Sequence, residues 1–236
     1  MFSPTPYSEE EIWKEFQREG SISKHLLTIY SLAVGINAKR IIDIGIGSTT
    51  KALRMAAAET DGIVFSCDAD KKRFSGLLEH QCENWKLDLC ASESFLKKID
   101  GPIDFAMHDG AHDYLQVKLD LELIIPKMKT FGLICVHDSQ QSVSADDVLK
   151  AIRDATTNWE ISLTTLPYCN GLSIIRLEKG NFPNIMPNGS LLDDGRIGTE
   201  LTACPMRFDS ESSFNNANQS IRRYIRWRLR KILRGY

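Results

Sequence analysis

Apolar positions follow two rhythms along this chain. Short runs rich in β-branched residues alternate with stretches of helical periodicity. Residues 40–44 (RIIDI), 62–67 (GIVFSC), 85–90 (WKLDLC), 103–108 (IDFAMH) and 133–136 (LICV) read as strands. Helical patterns fill the gaps: after Ser48, from Lys71 to about Glu83, over SESFLKKI, from Tyr114 to Ile125, and from about Ser144 to Thr157. Two further strands, 160–166 and 172–177, flank Asn170-Gly171, a turn pair that predicts a hairpin. Upstream, Ser8 and Glu11 have capping-box spacing and open a helix that stops at Gly20. Ile22, Leu26, Ile29, Tyr30 and Ala33 predict a second helix, ended by Gly35. The pattern is that of an α/β protein with seven strands, mostly parallel, the last antiparallel.

The segment 40–50, RIIDIGIGSTT, organises the rest. It predicts a buried strand, a glycine turn and a helix N-terminus whose hydroxyls, Ser48 to Thr50, suit capping. About twenty residues further on, the second strand ends at Asp68, where an acid holds the ribose hydroxyls of a nucleotide cofactor. A dinucleotide fingerprint needs a third glycine or alanine, and Thr50 stands there. An acid-x-Gly-x-Gly pattern, by contrast, fits Asp43-Ile44-Gly45-Ile46-Gly47.

At these residues the chain resembles the class I S-adenosylmethionine (SAM)-dependent methyltransferases. The resemblance implies a Rossmann-like sandwich on residues 38–179, with SAM as cofactor. It makes Asp43, Gly45, Gly47, Ser48, Asp68, Ser92 and Asp109 the cofactor-binding candidates. Gly45 and Gly47 would pack on the methionine part, Asp68 would take the ribose, and Ser92 would lie beside the adenine. Ser92 equally suits a helix cap. The helices of residues 1–37 would form a cap over the cofactor or acceptor; packing alone explains them as well, and His25 reads as structural.

Two acids end adjacent strands, Asp109 in DGAHDY and Asp138 in GLICVHDS. Both would enter the crevice where open α/β sheets bind ligands, and paired carboxylates can hold Mg²⁺. These segments resemble the macrocin-type sugar O-methyltransferases and cephalosporin-hydroxylase-like proteins. The resemblance implies a sugar, glycan or small natural-product hydroxyl as acceptor, with Asp109 and Asp138 as metal ligands. Ser139 departs from the acid or Asn of metal-dependent relatives. His112, three residues after Asp109, is the candidate general base, with Asp109 as its catalytic partner. His137 and His108 neighbour the strand-tip acids, so strand alternation predicts that they point away.

Composition changes the picture at one end. The net charge of −2 conceals a basic tail: residues 219–236 hold seven of the 29 basic side chains and no acid, which leaves 22 basic against 31 acidic elsewhere. That distribution argues against a nucleic-acid partner. The tail has the apolar spacing of a basic amphipathic helix, which suits peripheral contact with a membrane face. Residues 180–218, rich in Asn, Ser, Gly and Pro, read as a long loop or lid, and a homodimer would be consistent with both segments. Six scattered cysteines without a CxxC pair, and an N-terminus without a secretory pattern, fit a cytoplasmic protein. The alternatives are an NAD-dependent oxidoreductase and a non-catalytic, membrane-peripheral binding protein.

Overall fold

The parallel βα units place their strands in one sheet of seven, in the order β3-β2-β1-β4-β5-β7-β6. In the computed structural model, residues 9–20, 22–74, 81–140 and 145–182 are described. The strands are β1 (Arg40–Ile44), β2 (Ile63–Asp68), β3 (Trp85–Leu89), β4 (Ile103–His108), β5 (Met128–His137), β6 (Ile161–Leu166) and β7 (Leu172–Leu177). Neighbours among β1–β5 pair in parallel, whereas β7 runs antiparallel to both β5 and β6. The helices are α1 (Glu9–Gln17), α2 (Leu26–Gly35), α3 (Ser48–Thr60), α4 (Lys71–Phe74), α5 (Ser92–Lys98), α6 (Tyr114–Ile124) and α7 (Ala145–Thr156).

Central strands covered on both faces explain the unbroken apolar runs. Ile41, Phe105 and Met107 point to one face and pack with Ile29 and Ala33 of α2 and Leu53, Ala56 and Ala57 of α3. Ile42, Ile44 and Ala106 point to the other, against Phe95 of α5, Val117 and Leu121 of α6 and Val148 and Ile152 of α7. Full burial of side chains such as Phe105 and Leu53 contributes about 1.5–3 kcal/mol each. The N-terminal segment is therefore part of the sandwich: α2 forms one of its layers. Its α1 is tied down by Glu15, whose carboxylate accepts from Ser48 Oγ at 3.1 Å and pairs with Lys51 at the start of α3.

Three expectations are corrected. Of the helix expected from Lys71 to Glu83, Lys71–Phe74 is helical, residues 75–80 lie outside the described residues, and the last three, 81–83, are not helical, Cys82 pairing with Trp85 as an isolated bridge. The second N-terminal helix starts as a 3-10 turn, Ile22–His25, before α2. β5 begins five residues earlier than its apolar core, at Met128; Phe131, at φ 62°, and a register shift opposite Ile103/Phe105 absorb what reads as a turn.

Contacts divide the chain into Met1–Leu192 and Asp193–Tyr236, and every described residue belongs to the first unit. Nearly all of the expected loop 180–218, and the whole basic helix 219–236, lie outside the described residues. Among the described residues, no helix is long and apolar enough to cross a membrane.

Candidate active site

The strand order reverses between β1 and β4, so the loops after these two strands diverge and leave a crevice at the carboxyl edge of the sheet. The glycine turn forms its floor. Gly45, at φ 91°, is required there: a Cβ would stand 2.2 Å from the Asp109 carbonyl oxygen. The close approach that the sequence assigned to a ligand is thus made first by the chain itself. Gly47 has extended backbone and nothing within 4 Å of its Cβ position.

Beneath the turn, Asp43 is fully buried. Its Oδ2 accepts from Thr50 Oγ1 (2.7 Å) and Ser66 Oγ (2.8 Å), and Thr50 Oγ1 accepts from the Gly47 N–H (3.0 Å). Trp85 Nε1 donates to Ser66 Oγ at 3.0 Å. Thr50 therefore braces the helix against the strand through a hydroxyl, where a dinucleotide fold would have a small residue. Burial pushes the Asp43 carboxyl up to about 7, and the charges of Asp109 and Asp68 push the same way.

A cleft of 530 Å³ opens above the turn, a size suited to a small-molecule cofactor. Of the residues the sequence singled out, Gly45, Asp68, Ser92, Asp109 and His112 line it; Asp43, Gly47, Ser48 and Asp138 do not. Asp68 accepts from the Ile46 N–H at Oδ2 (3.1 Å) and from the Asp70 N–H at Oδ1 (2.8 Å), which fixes its orientation at the cleft. Ser92 is the first residue of α5, whose N-cap is Ala91, and its hydroxyl accepts from Gln116 Nε2 at 3.1 Å. Gln116, which sequence reasoning missed, also donates to Asp120 (2.9 Å). Its i,i+4 spacing to Asp120 was the available signal.

At the cleft's far wall, β4 and β5 bring four side chains together. His137 Nδ1 lies 3.1 Å from Asp109 Oδ1 and 3.2 Å from Asp138 Oδ1. His112 Nε2 lies 3.1 Å from Asp138 Oδ2 and 4.0 Å from Asp109 Oδ1. His112 is the outermost of the four, with a third of its side chain exposed. The expectation that His137 points away is overturned. Alternation holds only while the strand lasts, and Asp138 leaves β5 with φ 56°, so it folds back beside its neighbour. For His108 alternation holds: it is buried on the opposite face, 3.0 Å from Asp120. His25 is fully buried, with its Nε2 near the carbonyls of Tyr168 (3.1 Å) and Cys169 (3.3 Å). Burial, reinforced by nearby His137, lowers its pKa. For His137, burial acts downward too, but the carboxylates of Asp109 and Asp138 outweigh it and raise the pKa.

Residues 42–139 match a sequence-family model described as a methyltransferase domain. No curated protein sequence matches the chain. Three solved structures illustrate the likeness in fold. An S-adenosylhomocysteine-bound methyltransferase of Podospora anserina superposes with TM-score 0.57 at 16% identity, over 75% of this chain and 99% of its own. A Staphylococcus aureus protein inferred to be a caffeoyl-CoA O-methyltransferase gives 0.58 at 16%, over 72% and 93%. The Bacillus cereus O-methyltransferase, in complex with S-adenosylhomocysteine, gives 0.51 at 15%, over 71% and 89%. The fold is the Rossmann-like methyltransferase sandwich.

Proposed function

We propose that the protein is a SAM-dependent methyltransferase that modifies a hydroxyl group on a sugar, a glycan or a small natural product. The observation that carries this reading is the cleft between the Gly45 turn and Asp68, which lies beside a histidine–carboxylate cluster. The residues fit the cofactor. Asp68 presents carboxylate oxygens where ribose hydroxyls donate, and Ser92 and Gln116 offer polar groups to a base edge. The Gly45 turn, held from below by Asp43 and Thr50, supplies a floor with no side chain in the way. SAM carries the transferable methyl group on its sulfonium.

This chain's own residues then align the two reactants and receive the acceptor's proton. His112 stands at the open end of the cluster, where an incoming hydroxyl meets it first, and Asp138 beside it stabilises the imidazolium that forms. Asp109 lines the cleft and adjoins the same cluster, so it lies between donor and acceptor.

The magnesium expected on Asp109 and Asp138 fits poorly. Magnesium takes oxygen ligands in near-ideal octahedral geometry, whereas two imidazoles occupy this cluster and Ser139 Oγ is buried without a hydrogen bond. The basic segment 219–236 is proposed to rest on an anionic membrane face, on its sequence alone. The test of the function is transfer of labelled methyl from SAM into a panel of sugar and natural-product hydroxyls. Label in an ether product supports the reading; label only in amine or thiol products overturns the hydroxyl assignment.

A further inference from the structure

We infer that Asp109, His112 and His137 form a nitrogen–oxygen site for a borderline transition dication such as Mn²⁺, Fe²⁺, Co²⁺ or Zn²⁺, and not for Mg²⁺. One ligand atom from each residue falls within 4.8 Å of the others. Two ligands each about 2.1 Å from one metal ion stand between about 3 and 4.2 Å apart. The 3.1 Å from His137 Nδ1 to Asp109 Oδ1 and the 4.0 Å from His112 Nε2 to Asp109 Oδ1 fall in that range.

Proton placement points the same way. The Cys169 carbonyl, 3.3 Å from His137 Nε2, can only accept, so Nε2 carries the hydrogen. Nδ1 then faces carboxylate oxygens of Asp109 and Asp138 at 3.1 and 3.2 Å. Either a proton on Nδ1 or a metal ion in its place joins the ring to these carboxylates, and the negative charge that holds the proton attracts a dication equally. A ligating histidine normally fixes its other ring nitrogen on a backbone carbonyl or carboxylate, which is the role Cys169 plays here.

A second observation comes from unsatisfied atoms in the cluster. His112 Nε2 and Asp138 Oδ1 are both inaccessible to solvent and make no hydrogen bond of good geometry, although His112 Nε2 lies 3.1 Å from Asp138 Oδ2 and Asp138 Oδ1 lies 3.2 Å from His137 Nδ1. Such orphaned atoms are costly unless something charged lies between them. Imidazole donors suit the first-row transition ions and zinc, whereas magnesium prefers oxygen. A bound dication makes a coordinated hydroxyl more acidic. The inference rests on the proposed function and changes one role in it: His112 holds the ion instead of taking the proton, and the hydroxyl's proton passes to the carboxylate of Asp138 beside it.

The test uses the full chain, stripped with chelator and titrated with Co²⁺ alone, then Mn²⁺, Zn²⁺ or Mg²⁺ alone. The expected result is one Co²⁺ per chain with visible d–d bands of imidazole ligation. At a hundredfold excess over its dissociation constant, Co²⁺ or Zn²⁺ raises the Tm by about 5–10 °C, and equal Mg²⁺ leaves it unchanged. His112→Ala and His137→Gln each shift or abolish the bands; His112, being partly exposed, keeps the test decisive if the other variant misfolds. A Tm rise with Mg²⁺ equal to that with Co²⁺, bands unaltered in both variants, or no Co²⁺ binding to folded protein overturns the site. SAM calorimetry on the same samples separates the claims: SAM binding without metal binding removes only this inference, and metal binding without SAM binding removes only the methyl-donor reading.

Discussion

His137 Nδ1 stands 3.1 Å from Asp109 Oδ1, across the gap between the ends of β5 and β4. This contact draws the strand tips into one charged cluster at the edge of the cleft. It joins the wall formed by Asp109 to the imidazole of His112, through Asp138.

His112 is the member proposed to meet the acceptor, as base or as ligand. His112→Ala is expected to lower kcat by about 10²- to 10⁴-fold while SAM affinity stays within about twofold, since the polar groups proposed to hold the cofactor are those of Asp68, Ser92 and Gln116. Steady-state kinetics beside calorimetry checks this. Turnover near wild type removes His112 from the chemistry.

The two turn glycines are expected to behave differently. Gly45→Ala forces a Cβ into the Asp109 carbonyl at a positive φ and should cost at least about 2 kcal/mol of stability. Gly47→Ala meets no atom, so its stability should change by less than about 0.5 kcal/mol. Denaturant unfolding of both variants decides; equal losses would refute this account of the turn.

Asp43 gives the pH dependence a definite sign. Its carboxyl moves from an ordinary 3.8 to about 7 in the folded chain, so the folded state binds the extra proton between those values. Stability contributed by this group is complete below about pH 4, falls as pH rises towards 7, and is flat above. The slope is on the order of 1.4 kcal/mol per pH unit within the window. Asp43→Asn, which can still accept from Thr50 and Ser66, should lose that slope. Urea unfolding at pH 5, 6 and 8 measures it; parallel curves for the two proteins would show that Asp43 stays ionised.

Truncation before Gln219 removes seven basic residues and no acid. The shortened chain should no longer co-sediment with anionic vesicles in low salt, while the intact chain does. Equal sedimentation of both would place any membrane contact elsewhere.

Much of the scaffold was legible because central strands are buried on both faces. RIIDI and IDFAMH read as strands at the bounds the structure gives, since nothing polar interrupts them except Asp43 and Asp104, which are braced internally. β5 was cut short because Thr130-Phe131-Gly132 looks like a turn; in fact Phe131 takes a left-handed φ within the strand. The helix after Asp70 does not reach Glu83, because helical spacing at its end competes with the Cys82–Trp85 bridge. At the site, the strand-tip acids and His112 could be found from position alone. His137 could not: its orientation depends on the backbone reversal at Asp138, which period-2 reasoning does not contain. Gln116 escaped notice because it acts through Ser92 and Asp120, two residues distant in sequence from the glycine turn.

The central claim is that the cleft between the Gly45 turn and Asp68 holds SAM. Isothermal titration of SAM into the full chain, with NADH as the control ligand, tests it most directly. The account predicts one SAM per chain, an affinity lowered at least tenfold by Asp68→Ala (about 1.4 kcal/mol), and no heat from NADH. Silence toward SAM from folded protein, or binding of NADH in its place, would contradict it.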